Sequence, residues 1–152
     1  MIFMAICFID TEFNGFGGEL ISLGIVPQDR TLPEFYVVIE MATQPVEWVA
    51  EHVMPFLGDT LPVSREMAAR ELASYLRRVA ACNSSRPVLV ADWPEDFAQV
   101  MNLLILGPGQ MASTVDFDCA YRSCVGFNTA DHSAIPHNAL EDARALRDYF
   151  DQ

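Results

Sequence analysis

Apolar residues fill the opening of the chain almost without a break: Ile2, Phe3, Met4, Ala5, Ile6, Cys7, Phe8 and Ile9 run up to Asp10-Thr11-Glu12. A strand apolar on both faces belongs at the centre of a sheet. Asn14-Gly15-Phe16-Gly17-Gly18 then has the backbone freedom of a reversal, and Glu19 to Val26 predicts a second strand. Pro27-Gln28-Asp29-Arg30 makes another turn before a third strand, Phe35 to Glu40. The chain is therefore expected to open as a three-stranded antiparallel meander with its first strand central.

Helical spacing takes over next. Val46, Val49 and Val53, with Trp48 alongside, predict a short helix that stops at Met54-Pro55. His52 lies within it and reads as a hydrogen-bonded structural histidine. Ser64, a good N-cap, precedes Met67, Ala68, Leu72, Tyr75, Leu76 and Val79, the stripe of a long amphipathic helix closing near Cys82-Asn83. Arg65, Arg70, Arg77 and Arg78 make this the most basic stretch, read as a solvated face. A fourth strand, Pro87 to Ala91, runs into Asp92-Trp93-Pro94-Glu95-Asp96. From Asp96, the recurrence of Phe97, Val100, Met101 and Leu104 predicts a helix ending before Gly107-Pro108-Gly109. Gln110 to Pro136 is the least periodic span, with a short strand expected near Thr114 to Phe117. Ala139, Ala143, Leu146 and Phe150 form the apolar stripe of a last helix, and Asn138 with Glu141 has the form of a capping box.

A length of 152 residues fits one domain, residues 1–152, with a real core. No apolar run is long enough to span a membrane, and no basic leader precedes the first strand, so a cytoplasmic, membrane-free protein is expected. The four cysteines, Cys7, Cys82, Cys119 and Cys124, form no C-x-x-C pair and read as reduced structural thiols. Asp and Glu number 21 against 9 Lys and Arg, a net charge of -12 that argues against gripping long nucleic acid by its phosphates. A short phosphate-bearing substrate stays open, because bound divalent cations reverse the local field.

That charge matters most where acids converge. Asp10 and Glu12 project from one face of the first strand's C-terminal end, and two such carboxylates repel unless a cation joins them. All-oxygen ligands favour magnesium or manganese. On the last helix Asp142 lies three residues after Ala139 and four before Leu146, hence on the inward face, where an ionised acid needs a metal or an arginine. His137 stands just outside that helix, after Pro136.

In this order the set resembles the DEDD superfamily of 3'-5' exonucleases, in its DEDDh branch, which includes the proofreading subunit of replicative DNA polymerase, oligoribonuclease and ribonuclease T. Asp10-Thr11-Glu12 looks like the first motif, D-x-E. His137-Asn138-Ala139-Leu140-Glu141-Asp142-Ala143 resembles the third, H-x-A-x-x-D-A, both alanines included. The second motif departs: the family shows His-Asn and then Phe-Asp, where this chain has Ala91-Asp92 and Glu95-Asp96. The spacing assigns Asp96 as the ligand, with Asp92 its rival or an outlying partner. Trp48-Val49-Ala50-Glu51-His52-Val53-Met54-Pro55 and the short meander look closest to a compact bacterial subgroup typified by a mycobacterial 3'-5' exoribonuclease.

The resemblance implies an α/β, ribonuclease H-like fold, a mixed sheet with helices on both faces. It implies a 3'-5' exonuclease, of the exoribonuclease kind in the narrower match, that hydrolyses the 3' ends of short single-stranded RNA or DNA and releases nucleoside 5'-monophosphates. Asp10, Glu12, Asp96 and Asp142 would hold two divalent cations, Mg2+ or Mn2+, with Asp10 bridging, and His137 would be the general base. Phe13 and Asn14 would flank the terminal nucleotide, Phe13 stacking on its base or else packing below the turn. Relatives often form homodimers, and nothing in the sequence marks an interface. Two other readings stay open: a ribonuclease H-like endonuclease, and a catalytically inactive nucleotide-binding module of the same fold.

Overall fold

The computed structural model describes residues 4–113 and 117–152. The chain runs β1 (Ala5–Phe13), β2 (Leu20–Pro27), β3 (Phe35–Val38), α1 (Glu47–His52), α2 (Arg65–Asn83), β4 (Pro87–Ala91) and α3 (Pro94–Leu104). It continues through β5 (Ile105–Gly107), β6 (Gln110–Met111), β7 (Asp118–Tyr121), α4 (Thr129–His132) and α5 (Ala139–Phe150). Five strands form one sheet in the order β3-β2-β1-β4-β7, and β5 and β6 make a separate hairpin. β1 is central, antiparallel to β2 and parallel to β4, and β4 is parallel to β7. The meander, the mixed sheet and the helices on both faces are thus as the sequence leads one to expect.

Alternation along β1 explains the two layers. Cys7 and Ile9 join Leu23, Ile25, Leu89 and the α2 residues Leu72, Tyr75, Leu76 and Val79 in the main core. Ser64 caps α2 by accepting from the Met67 N–H at 3.2 Å, and Ser84, at φ +50°, ends it in the left-handed region. The opposite face carries Phe8 and Val90, which pack on Leu146 of α5. α1 docks beside α5 through Ile21, Val38, Val49, Val53 and Leu57.

How close α5 can come is set by one residue. Gly24 on β2 lies directly across from Asp10, and a Cβ there would fall 2.4 Å from the Ala139 carbonyl oxygen and 2.6 Å from the Leu140 Cα. Only a glycine lets the first turn of α5 rest on the sheet at this point. Ala139 and Ala143 keep the rest of that contact thin, both fully buried.

The strand expected near Thr114 falls largely outside the described residues, as do Ile2 and Phe3 of the opening run; the fifth strand of the sheet is Asp118–Tyr121. α3 begins at Pro94, two residues ahead of Asp96, because proline suits a first helical position. No helix among the described residues is long and apolar enough to cross a membrane.

Candidate metal centre

Every acid singled out in the sequence reaches the C-terminal edge of β1. Asp10 and Glu12 project toward the α5 side. Asp142 arrives from the first turn of α5, which Gly24 admits, and Asp96 from the first turn of α3. Ligand oxygens of Asp10, Asp92 and Asp96 lie within 4.8 Å of one another, and so do ligand atoms of Glu12, His137 and Asp142. The Asp10 carboxyl feels Asp96, Glu12, Asp142 and Asp92 together, which places it between the two groups.

Few of these oxygens are satisfied. Thr11, on the other face of β1, donates to Asp96 Oδ1 at 2.6 Å, and the His137 backbone N–H donates to Asp142 Oδ2 at 3.3 Å. Asp10 Oδ2, Asp96 Oδ2 and Asp142 Oδ1 are buried without a hydrogen bond; the Ser133 hydroxyl lies beside Asp142 but outside normal bonding geometry. Asp96 is only 2 % exposed and Asp142 3 %. Among the described residues no arginine forms an ion pair with any of these acids, the cations being spent elsewhere, as in Arg144–Glu34 and Arg30–Asp148.

Buried carboxylates with no counter-charge hold their protons. Burial, then repulsion from its neighbours, keeps the Asp10 carboxyl well above the ordinary carboxylate range. Glu12 is pushed up to about 8 by burial and by Asp142 and Asp96. Burial takes Asp96 to about 7 against the Thr11 hydrogen bond, and Asp142 to about 6 against Ser133 and the His137 N–H. Asp92 is raised too, again by burial. An orphaned all-carboxylate set of this kind fits hard divalent cations, which would take the unbonded oxygens as ligands and return the acids to their charged forms.

His137 sits at φ +64° and meets the edge of Trp48, ring centroids 5.0 Å apart. Burial and the nearby His52 lower its pKa. Trp48 stacks on His52 at 4.7 Å, and His52 Nδ1 is 2.9 Å from the Trp48 carbonyl oxygen, the structural role expected of it. Asn138 fixes His137 from the other side. Its Oδ1 accepts from the Leu140 and Glu141 N–H groups, while its Nδ2 donates to the Phe56 carbonyl at 2.9 Å and the Tyr36 hydroxyl at 3.3 Å. Only half of the expected capping box forms, because Glu141 turns to Arg144 at 2.6 Å.

Phe13 lines a cavity of about 360 Å3 with Thr11, Glu12, Gly15, Phe16, Trp48 and Val49. The Asn14 side chain does not face it. Its amide donates to Thr43 Oγ1 and the Gln44 carbonyl and accepts from the Val46 N–H at 2.8 Å, so it holds the segment leading into Trp48. Opposite, Glu95 accepts from the Gly17 N–H at 2.7 Å, and Phe16 lies against Trp93, centroids 6.1 Å apart. Sequence reasoning left out Gly24 and, for Asn138, everything beyond its capping role. A glycine inside a strand pattern was the one available signal, for Gly24; Asn138 shows its second role only through tertiary partners.

No family model matches the sequence, and no curated protein does. Among solved structures, the chain is similar to the nuclease domain of 3'hExo, a DEDDh family member, bound to rAMP. The TM-score is 0.63 at 13 % identity, over 94 % of this chain and 88 % of that one. The likeness shows the fold, the ribonuclease H-like arrangement of sheet and helices, and the acidic groups lie at the edge of that sheet.

Proposed function

We propose that this protein is a metal-dependent 3'-5' exonuclease, acting on RNA, that removes nucleoside 5'-monophosphates from the 3' ends of short single strands. The observation that carries the reading is the meeting of Asp10, Glu12, Asp96 and Asp142 with His137 at one sheet edge, with buried and unbonded oxygens on Asp10, Asp96 and Asp142. The rAMP held by the 3'hExo domain supports a nucleotide as the occupant. The compact bacterial exoribonuclease pattern around Trp48 supports RNA over DNA.

Asp10, Glu12, Asp96 and Asp142 would hold the two cations, Mg2+ or Mn2+. When bound, such ions activate water at neutral pH and neutralise charge on the departing oxygen. His137 takes a proton from the attacking water on a ring nitrogen, kept deprotonated near pH 7 by its lowered pKa. The water oxygen bonds to phosphorus, the bond to the 3'-oxygen of the penultimate residue breaks, and that oxygen leaves with a proton from solvent. Phe13, Phe16 and Trp48 give the cavity aromatic walls for the terminal base. Asn14 serves the pocket through the segment it holds. With a net charge of -12, grip concentrates on the last nucleotides, so long duplexes are poor substrates.

The test uses an RNA oligomer labelled in its last nucleotide, with a 3'-blocked twin. Manganese-dependent release of labelled mononucleotide, absent in Asp10→Ala and from the blocked twin, is expected. Internal cuts in the blocked twin would make the protein an endonuclease, and no cleavage of either would leave it a binding module. Sedimentation measures the homodimer that the same resemblance implies.

A further inference from the structure

We infer that Asp92 is itself a metal ligand, so that Asp10, Asp92 and Asp96 form a second divalent-cation site built wholly from protein carboxylates and filled before any substrate arrives. The inference rests on the metal-centre reading above and extends it to a fifth acid.

The register of the sheet supplies the first argument. β1 and β4 are parallel, with Phe8 beside Val90, and both side chains pack on Leu146. Two residues further along each chain come Asp10, still within β1, and Asp92, one residue past the end of β4. Chain geometry therefore forces two carboxylates into the 4.8 Å cluster with Asp96. Adjacent like charges across a strand pair are destabilising unless something cationic joins them.

The second argument is what Asp96 does with its oxygens. It is the most buried member, 2 % exposed, and Thr11 takes only Oδ1. Oδ2 is buried and unbonded, and a carboxylate oxygen of Asp96 lies within the cluster. Among the described residues Asp92 makes no ion pair, and the hydrogen-bond donor at its carboxylate is its own backbone N–H. A hard cation satisfies all three acids at once.

Charge sets the consequence. Four carboxylates balance two divalent ions, whereas five leave the centre one negative charge in excess before phosphate enters. Mg2+ is ordinarily held by one or two carboxylates together with substrate phosphates. Three at one site let the ion bind without a substrate.

The experiment measures metal alone. The full chain, stripped with EDTA and free of nucleic acid, is titrated with Mn2+ by calorimetry, with free Mn2+ followed by electron paramagnetic resonance. Two ions per chain are expected for the wild type. Asp92→Asn should keep one ion at unchanged affinity and weaken the other at least tenfold. Loss of affinity alone would also follow if Asp92 only oriented a ligand. Asp92→Cys with Cd2+ separates the cases: a thiolate-to-cadmium charge-transfer band beyond that of the four native cysteines reports direct ligation. Two ions bound equally well by Asp92→Asn, or a weakened ion with no added band in Asp92→Cys, would overturn the inference. One ion or none bound by the wild type overturns it as well. Two bound ions without nuclease activity would sink the proposed function and leave this site standing.

Discussion

Raising the pH of the metal-free protein from 5 to 8 should cost it stability, although carboxylate-rich proteins usually lose stability toward acid. Asp96 shows the size of the effect: it titrates at about 7 in the fold against an ordinary value of 3.8. Between those values the native state keeps a proton that the unfolded chain has released, so the native state binds more protons and unfolding becomes easier as pH rises. At 1.36 kcal/mol per tenfold change in proton affinity, Asp96 alone accounts for about 4 kcal/mol between pH 3.8 and pH 7, of which about 3 kcal/mol falls above pH 5. For a domain of this length that is on the order of 10 °C in Tm. Asp10, Glu12 and Asp142 share the same repulsion, so their contributions do not simply add. Asp148 near the far end of α5 has a lowered pKa and releases its proton below this window. Melting curves in EDTA from pH 5 to pH 8 should slope downward, and Mn2+ at a hundred times its Kd should add about 2.7 kcal/mol per site and flatten the slope. Asp96→Asn should melt well above the wild type at pH 8 in EDTA and by less than half that margin at pH 5. A Tm in EDTA that is level or rises over this range, or an Asp96→Asn protein no firmer than wild type at pH 8, would refute the reasoning.

Gly24→Ala should destabilise the protein by roughly 1 to 3 kcal/mol by denaturant unfolding, because the new methyl group meets backbone at 2.4 Å, and nuclease activity should fall further than stability explains as α5 is pushed off the sheet. His137→Asn, which tolerates the φ of +64°, should lower kcat about 10²- to 10⁴-fold with Tm nearly unchanged; an undiminished kcat would remove the histidine from the chemistry. Trp48→Ala should raise KM for a short RNA roughly tenfold to a hundredfold, the worth of one base–aromatic stack, and an unaltered KM would place the base elsewhere. Asn138→Ala should cost about 0.5 to 2 kcal/mol as a lost cap, read by thermal unfolding.

The acids at the end of β1 and on the inner face of α5 were legible because each depends on local periodicity alone. Alternation places Asp10 and Glu12 together, and the i, i+3, i+4 stripe turns Asp142 inward. The choice between Asp92 and Asp96 was not legible, since it turns on how β1 and β4 align across some 80 intervening positions. Asn14 follows the acid pair and looks like a substrate contact, yet its amide is spent on Thr43, Gln44 and Val46, partners no local pattern reveals. The half-formed capping box has the same origin: Arg144 competes for Glu141, and tertiary placement of Glu34 draws Arg144 in. The β5–β6 hairpin and α4 are two to four residues long and carry too few side chains to show a period.

Because β1 is the middle strand, its two flanking partners, β2 and β4, come from early and late in the chain that follows it, and α5, which closes the edge, is made after both. During translation a nascent chain can form the meander early, but it cannot assemble the acids of residues 10, 92, 96 and 142 until α5 has emerged from the ribosome. A stalled or proteolysed fragment ending short of α5 would therefore lack Asp142 and with it a complete acidic centre.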